Sequence, residues 1–491
     1  MNQFLSIMIL MKIDSFFHSR SSLLKRRALL LVAFFLLAAL TLLFASSREA
    51  ESRALQGKTK RVLIISVDGL DARYLNRRDE FGLKIPNLRR LMSEGAAARG
   101  VVSVFPSVTY PAHTTIVTGA YPARHRIYGN EVLEPPMGTA RREWNWYARD
   151  IRAETLWDAA RKRGLKVGMV SWPVGVGAGD YNVPEIIRFG GTLLDTLARI
   201  KGNSIPQGLL GEIEKRDAKL YAQANKDEQD DMRTRMAEYI ITEKRPDVML
   251  IHLFDLDHFQ HEKGPFTPES LAILEKSDAY IGRIIEAARR AGTIDETAIF
   301  IVSDHGFMPI SKLVNPGVLL ERAGLLTVRE EKDAKGNYVS VLTGWRAVPF
   351  VTNGSCAIIL RDENDKEALK KVREIFRPLA GREESGIREV IEGVRLRALG
   401  ANTRAAMMLD AADGYAFDIN YKGELITNSA QRGAHGYMPT RPDYYTSFIA
   451  AGAGIRPAQL GTIRMIDIGP TIARTLGLTL KDAEGRSIRL Q

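Results

Sequence analysis

Short, nearly continuous runs of apolar residues recur along the chain after residue 60, and they are rich in valine and isoleucine. Polar residues do not alternate with apolar ones inside these runs, which is typical of strands buried on both faces of a parallel sheet. The pattern therefore predicts strands at residues 61–67, 100–105, 166–172, 247–254, 298–303 and 445–451.

Segments with helical periodicity lie between these runs. They predict helices at residues 86–98, 153–163, 229–243, 268–291 and 467–476. Strands that alternate with helices favour the α/β class, here a mainly parallel central sheet flanked by helices. Because ligands of such sheets bind beyond the carboxyl ends of the strands, the residues that follow each strand are the first candidates for a functional site.

Acidic residues and histidines follow the predicted strands repeatedly. A single aspartate after a strand commonly caps a helix, but capping does not account for this many placements with adjacent histidines. The residues concerned are Asp68 after the first strand, Asp257 and His261 after the fourth, and Asp304 and His305 after the fifth. His435 lies later in the chain, in Gly433-Ala-His435-Gly436.

Thr109 follows the second predicted strand, in the segment FPSVTYPAHTTIVTG of residues 105–119. Pro111 suits the first turn of a helix, so the Thr109 hydroxyl is predicted at a helix N-terminus, where free N–H groups and a partial positive charge favour a phosphoryl group. Such a threonine is most often only an N-cap, and it becomes a nucleophile when a base or a metal ion activates it. The aspartates and histidines elsewhere in the chain favour the nucleophile.

Carboxylates and imidazoles without cysteine are typical of sites for zinc or a similar transition metal. Two sets of ligands are predicted: Asp257, His261 and His435 for one ion, and Asp68, Asp304 and His305, with the Thr109 oxygen, for the other. A bound ion would favour the alkoxide form of the threonine, and two ions about 4 Å apart commonly clamp an in-line phosphoryl displacement. We therefore expect two Zn²⁺ ions per chain, with Mn²⁺ as an alternative.

The composition of the 491 residues, 45% apolar and 26% charged, is that of a globular protein. The formal net charge is +11, but no basic run interleaved with aromatic residues accompanies it, so we expect no binding of a nucleic-acid polymer. The single cysteine, Cys356, excludes an internal disulfide and a cysteine-based metal site.

Residues 28–45 form an apolar run of 18 residues that Lys25-Arg26-Arg27 directly precedes. This length is at the lower limit for crossing a bilayer and exceeds that of a usual signal peptide, and a positive flank stays in the cytoplasm. We therefore expect a cytoplasmic tail at residues 1–27, a transmembrane signal anchor at residues 28–45, a linker at residues 46–60, and the remainder on the periplasmic or extracellular side. Cleavage near Ala45, with secretion, is the alternative.

The chain after the linker is predicted to be one core with an insertion. Strand-like runs at residues 348–351 and 356–360 and a helical pattern at residues 365–376 predict an inserted α+β cap subdomain. We expect a catalytic core at residues 61–311, the cap at residues 312–429 and a return to the core at residues 430–491. The cap is expected to set substrate preference.

Five motifs resemble, in the same order, those of the nucleotide pyrophosphatase/phosphodiesterase family of the alkaline phosphatase superfamily, including its bacterial type I phosphodiesterases. They are Val67-Asp68-Gly69, Thr109-Tyr-Pro-Ala-His113 with Val117-Thr-Gly-Ala-Tyr-Pro122, Leu256-Asp257-His-Phe-Gln260-His261-Glu-Lys-Gly264-Pro265, Ser303-Asp304-His305-Gly306 and Gly433-Ala-His435-Gly-Tyr437. The resemblance implies an alkaline phosphatase-like core and the same two sets of zinc ligands. It also implies that Thr109 forms a phosphothreonine and that Asn130 holds a phosphoryl oxygen.

The chain departs from the family pattern at Ala112, Leu256 and Gln260, none of which is a ligand. Asp255 and His258 lie close enough to the third motif to be rival ligands. The spacing of the family motif selects Asp257 and His261 instead, so we expect Asp255 and His258 to lie outside the set of ligands.

The predicted reaction is hydrolysis of a phosphodiester or pyrophosphate bond in a small molecule such as a nucleotide. Ser171-Trp-Pro-Val-Gly175 is similar to a segment of the phosphodiesterase branch, and it lacks the lysine and arginine with which monoesterases of the superfamily bind a dianion. A phosphoryl or phosphoethanolamine transferase at the cell envelope, a phosphomonoesterase of the same superfamily and a catalytically inactive binding protein are the alternatives.

Overall fold

A computed structural model describes residues 59–490 except residues 136, 138–141, 188, 190, 223–227, 333–335 and 337. The predicted tail and anchor, and the linker up to residue 58, therefore lie outside the described residues. Among the helices of the described residues, none is both long enough and apolar enough to cross a membrane.

The strands of the described residues lie throughout the chain. They are β1 Arg61–Val67, β2 Ala96–Val102, β3 Val167–Val170, β4 Tyr181–Val183, β5 Val248–Leu253, β6 Thr297–Val302, β7 Met308–Val314, β8 Leu326–Lys332, β9 Tyr338–Trp345, β10 Ala347–Thr352, β11 Ser355–Leu360, β12 Ile387–Ile391, β13 Ala405–Ala411, β14 Gly414–Phe417, β15 Ile426–Asn428, β16 Gly433–Ala434, β17 Phe448–Gly452 and β18 Ala458–Arg464.

The α-helices lie mostly between the strands of the first half of the chain. They are α1 Ala72–Asn76, α2 Pro86–Glu94, α3 Thr109–Thr118, α4 Pro122–His125, α5 Leu156–Lys162, α6 Leu193–Asn203, α7 Leu209–Arg216, α8 Asp230–Tyr239, α9 Asp255–Lys263, α10 Pro268–Arg290, α11 Pro316–Arg322, α12 Lys366–Phe376, α13 Gly393–Ala398 and α14 Ile468–Thr475.

The largest sheet has eight strands in the order β18-β2-β17-β6-β1-β5-β3-β4. β1 lies between β5 and β6 and is parallel to both. β17 runs antiparallel to its neighbours β2 and β6, whereas the remaining neighbours in the sheet are parallel. The predicted α/β class with a mainly parallel central sheet is confirmed.

Helices cover both faces of this sheet, which explains why its strands read as continuous apolar runs. Successive residues of a strand face opposite sides. Ile65 of β1 belongs to a buried cluster that includes Ile281 of α10, whereas its neighbour Ile64 belongs to a second cluster that includes Ile116 of α3. Both residues of β1 are fully buried.

A third buried cluster lies mostly in the segment that was predicted to be an inserted cap. There an antiparallel sheet has the strand order β10-β11-β13-β12, and further strands form a sheet in the order β14-β7-β15. Ile358 of β11, Met407 of β13 and Phe376 of α12 pack in one cluster. β7 begins at Met308, before the predicted boundary at residue 312. That this segment acts as a cap stays a prediction.

The boundary between the first long helix and the second strand differs from the prediction. The helix was expected to reach residue 98, but α2 ends at Glu94 and β2 already begins at Ala96. Gly95 allows this abrupt change, because a Cβ atom there would lie 2.1 Å from the carbonyl oxygen of Ala450 in β17. Contact with another strand therefore ends the helix, and local periodicity does not reveal such a contact.

Candidate metal and phosphoryl site

Three adjacent strands carry the acidic candidates to one edge of the central sheet. Asp68 directly follows β1, Asp304 follows β6, and Asp257 lies in the first turn of α9 after β5. Because β6, β1 and β5 are neighbours and run parallel, their carboxyl ends meet at the same edge. This is where the sequence placed the candidate residues.

The first predicted set of ligands, Asp257, His261 and His435, comes together in the structure. Asp257 Oδ1 lies 3.6 Å from His261 Nε2 and 3.7 Å from His435 Nε2. Asp257 and His261 are four residues apart on α9 and so share one face of that helix. His435 follows directly after β16, which pairs with β7 and thereby brings the end of the chain back to the site.

Hydrogen bonds of the two histidines leave one ring nitrogen of each available for a metal ion. His261 Nδ1 donates to the carbonyl oxygen of Gly433 at 2.9 Å, and His435 Nδ1 donates to that of Ser107 at 3.4 Å. Burial lowers the pKa of His261 to about 4, and burial and the neighbouring His305 lower the pKa of His435. The neutral rings therefore present unprotonated Nε2 atoms to Asp257, as a metal-binding histidine does.

The second predicted set, Asp68, Asp304 and His305, also comes together. His305 Nε2 lies 3.1 Å from Asp68 Oδ1 and 3.1 Å from Asp304 Oδ2. Its distance to Asp257 Oδ1 is 3.8 Å, so the two sets adjoin each other. Asp68, Asp304 and His305 are all buried.

The carboxylates of both sets fit a divalent cation. Asp68 Oδ1, Asp257 Oδ1 and Asp304 Oδ2 are buried, and none of them has a hydrogen-bond partner in the described part of the chain. A buried carboxylate oxygen without a partner carries a desolvation cost that a bound cation would offset. Oxygen and nitrogen donors without sulfur suit zinc or manganese. The number and identity of the ions stay predictions.

Thr109 is the first residue of α3 and is not its N-cap. Val108 occupies the N-cap position, and its apolar side chain makes no capping hydrogen bond. Thr109 is 8% exposed. Its carbonyl oxygen accepts a hydrogen bond from His113 Nδ1 at 2.8 Å, and that nitrogen lies 3.7 Å from Asp304 Oδ2. The capping alternative is therefore wrong, and His113 links the backbone of Thr109 to Asp304 of the second set. That Thr109 is the nucleophile stays a prediction.

Asn130 lies at the same helix N-terminus. Its Oδ1 atom accepts a hydrogen bond from the backbone N–H of Tyr110 at 2.9 Å, which places the side chain next to Thr109. An amide side chain has two further donors on its nitrogen. The role of Asn130 in holding a phosphoryl oxygen stays a prediction.

Gln260, which departs from the family pattern, and Asp255, one of the rival ligands, have hydrogen-bond partners in the structure. Gln260 Nε2 donates to the carbonyl oxygen of Gly69 at 2.9 Å, and its Oε1 accepts from Tyr74 at 2.9 Å. Both oxygens of Asp255 accept the backbone N–H of Gln229, at 2.9 and 3.0 Å, and Oδ2 also accepts that of Asp230 at 3.0 Å. Asp255 and His258 belong to neither of the two convergent sets.

Sequence reasoning missed His252 and Glu185. His252 Nε2 lies 2.8 Å from Asp68 Oδ2, and His252 Nδ1 lies 3.0 Å from Glu185 Oε2. Burial disfavours the charged ring, but the hydrogen bonds to Asp68 and Glu185 outweigh burial and raise the pKa of His252 to about 10. The available signal was a histidine inside a strand predicted to be buried on both faces, where a polar side chain requires a partner.

Comparison with known proteins agrees with the resemblance seen in the motifs. A sequence model of the type I phosphodiesterase / nucleotide pyrophosphatase family matches residues 62–438. Human ectonucleotide pyrophosphatase/phosphodiesterase family member 1 is 26% identical over 258 residues, which cover 51% of this chain and 24% of that protein. An uncharacterised pyrophosphatase/phosphodiesterase of Schizosaccharomyces pombe is 27% identical over 258 residues, covering 51% of this chain and 45% of its own length. The chain therefore spans less than half the length of these relatives.

Solved structures have the same fold. Human ectonucleotide pyrophosphatase / phosphodiesterase 5 matches with a TM-score of 0.58 at 17% identity, over 87% of this chain and 97% of that one. The murine counterpart, described as an inactive threonine-to-alanine variant in complex with AMP, matches with a TM-score of 0.56 at 17% identity, over 86% and 96% of the two chains.

Proposed function

Because this chain belongs to the type I phosphodiesterase / nucleotide pyrophosphatase family, we propose that it hydrolyses phosphodiester or pyrophosphate bonds with two metal ions and a covalent phosphothreonine at Thr109. The substrate is a small molecule, and nucleotides are its first candidates. The naming of relatives as nucleotide pyrophosphatases, and the AMP in the murine neighbour, support that choice.

The proposal rests mainly on how the two sets of ligands and the start of α3 are arranged. Two sets of carboxylates and imidazoles adjoin at Asp257, and His113 links the first residue of α3, Thr109, to Asp304. Asp257, His261 and His435 would hold one ion, and Asp68, Asp304, His305 and the Thr109 oxygen would hold the other. When bound, two divalent cations would neutralise charge on the phosphoryl group and lower the pKa of the attacking hydroxyl.

The residues of the chain then have distinct parts in the reaction. The Thr109 oxygen forms a bond to phosphorus as the bond between phosphorus and the leaving oxygen breaks. The N-terminus of α3, with its partial positive charge, and the amide nitrogen of Asn130 would stabilise the other phosphoryl oxygens. Water then releases the phosphoryl group from Thr109 and restores the hydroxyl.

The charge of the site favours a diester over a monoester. Three carboxylates, those of Asp68, Asp257 and Asp304, would leave a small positive charge in the presence of two divalent cations. Asn130 is neutral, and none of the described residues assigned to the two sets of ligands is a lysine or an arginine. Such a set suits a singly charged diester better than a dianion. The segment that follows β3 supplies a buried tryptophan, Trp172, and no cation.

The test compares bis-p-nitrophenyl phosphate with p-nitrophenyl phosphate by kcat/KM on the zinc-loaded chain from residue 56, with EDTA as the metal control. We expect a preference for the diester that EDTA abolishes. Thr109→Ala is expected to retain zinc and lose turnover, whereas Thr118→Ala, at the other end of α3, is the matched control. Turnover by Thr109→Ala, or a preference for the monoester, would contradict the proposal.

The N-terminal anchor and the extracytoplasmic location belong to the proposal as well. Residues 28–45 are apolar, and relatives are named ectonucleotide pyrophosphatases. Fractionation of cells that express the full chain should place it in the membrane, and a chain that begins at residue 56 should be soluble. A full chain found in the soluble cytoplasmic fraction would contradict the anchor.

A further inference from the structure

A chain of hydrogen bonds runs from Asp68 through His252 and Glu185 to Tyr110. His252 Nε2 lies 2.8 Å from Asp68 Oδ2, and His252 Nδ1 lies 3.0 Å from Glu185 Oε2. The other oxygen of Glu185, Oε1, accepts the hydroxyl of Tyr110 at 2.7 Å. All four side chains are at least nine-tenths buried.

The geometry determines what the imidazole does. A carboxylate oxygen accepts hydrogen bonds from the ring nitrogens of histidine. Nε2 of His252 faces Asp68, and Nδ1 faces Glu185 and, at 3.2 Å, the carbonyl oxygen of Ser171. The ring is therefore held at both of its nitrogens, and loss of a carboxylate would leave a buried polar group without its partner.

His252 determines which oxygen of Asp68 faces the ligands. Strand pairing places His252 of β5 opposite Ser66 of β1, two residues before Asp68. The hydrogen bond occupies Oδ2, so Oδ1 is the atom that lies 3.1 Å from His305 Nε2. Rotation of the carboxylate would break a buried charged hydrogen bond, and such bonds are among the stronger ones in proteins.

We propose that His252 is a positioning residue, held by Glu185, that fixes Asp68 for the ion bound by Asp68, Asp304 and His305. This inference rests on the proposed two-metal function. The first set has no such support from His252, because its nearest hydrogen bonds run from His261 to Gly433 and from His435 to Ser107. Substitution of His252 should therefore weaken one ion and spare the other.

The same chain of hydrogen bonds also reaches the predicted nucleophile. Tyr110 directly follows Thr109, its hydroxyl binds Glu185, and its backbone N–H binds Asn130 Oδ1. Glu185 therefore links the start of α3 to the carboxylate of Asp68. A substitution that removes the hydrogen bonds of Glu185 is expected to lower kcat more than it changes KM, because it disturbs the position of the nucleophile relative to the ion.

The test measures zinc affinity of the chain from residue 56 by competition with a chromophoric chelator. His252→Asn is too short to donate to Asp68, and we expect it to lose roughly 10–100-fold in affinity for one of two ions, the usual effect of losing such a support. His252→Gln reaches Asp68 with its own N–H group, and we expect it to recover part of the loss. His125→Gln is the control, since His125 is a buried histidine whose ring bonds to Thr115.

Each outcome decides the question. Equal weakening of both ions, or two ions bound by His252→Asn at wild-type affinity, would overturn the positioning role. If His252→Asn does not fold, Glu185→Gln replaces it, and the absorption spectrum of the cobalt-substituted chain should then change for one of its two ions. A wild-type chain that binds a single ion would instead contradict the two-metal function, and the inference would fall with it.

Discussion

Asp257 Oδ1 lies 3.8 Å from His305 Nε2, so the two sets of ligands meet at a single carboxylate oxygen. The same atom lies 3.6 Å from His261 Nε2, in the other set. Neither set is therefore independent of Asp257, although the sequence assigns this residue to only one of them. An ion bound by one set would therefore change the affinity of the other set for its ion, because both contact this carboxylate.

Asp257→Asn should weaken both ions, because it removes the negative charge that both sets share. We expect the affinity for the ion of Asp257, His261 and His435 to fall at least roughly 100-fold, which is as large as the largest usual effect of losing a residue that only supports a ligand. The affinity for the other ion should fall measurably. Chelator competition measures both constants. Zinc should also raise the thermal unfolding midpoint of the wild-type chain, since a ligand that binds only the folded state stabilises it. An Asp257→Asn chain that retains two ions at wild-type affinity would show that the carboxylate is not shared.

Asn130→Ala should slow turnover without loss of metal. The amide nitrogen of Asn130 is the predicted donor to a phosphoryl oxygen, and removal of one such donor typically costs 10²–10³-fold in kcat. Zinc content should stay at the wild-type value, because Asn130 is in neither set of ligands. Asn130→Asp has the same size and lacks the donor, so it should be at least as slow as Asn130→Ala. A normal rate in Asn130→Asp would exclude the predicted role.

His125 should make the free energy of unfolding depend on pH. Burial lowers its pKa from about 6.5 to about 3 in the folded chain, so below pH 6.5 the unfolded chain binds a proton that the folded chain does not. Stability contributed by the neutral ring is therefore present above pH 6.5 and is lost as pH falls from 6.5 towards 3, at up to about 1.4 kcal/mol per pH unit.

The measurement for His125 is urea unfolding in EDTA at pH 7.5, 6 and 5, so that loss of metal does not contribute. His125→Gln has no titrating ring, and its stability should fall less steeply with acid than that of the wild type. Parallel pH profiles of the two chains would show that the ring is already protonated or solvated in the folded state.

Gly436→Ala should disturb His435. Gly436 has φ 94°, and a Cβ atom there would lie 2.1 Å from the carbonyl oxygen of Thr352, at the end of β10. We expect a loss of roughly 1–3 kcal/mol in the free energy of unfolding from the backbone alone, and weaker zinc binding because the adjacent His435 must move. Gly477→Ala is the control, since Gly477 also has a positive φ, 67°, but nothing within 4 Å of the added atom. Equal effects of the two substitutions would mean that the contact with Thr352 is not needed to place His435.

Most of the buried strands could be predicted from the sequence because their signal is local. β1 matches the predicted residues 61–67, and β5 and β6 lie within one or two residues of the prediction. Helix α2 was predicted to be too long, because the strand that ends it, β17, is distant in the chain. The antiparallel direction of β17 could not be predicted either, because a run of apolar residues does not indicate in which direction the strand runs in the sheet.

The sequence by itself determined the α/β class, the carboxylates and histidines that follow the strands, and Thr109 at the start of a helix. These features depend on residue types and on short spacings, which can be observed in the sequence without knowledge of the fold. Only the tertiary structure decided that Asp257 lies between both sets of ligands. It also decided that His252 forms a hydrogen bond with Asp68 and another with Glu185. These contacts join residues up to 184 positions apart, and they arise from the order of β6, β1 and β5 in the sheet. Strand order depends on packing over the whole domain, so no local pattern specifies it.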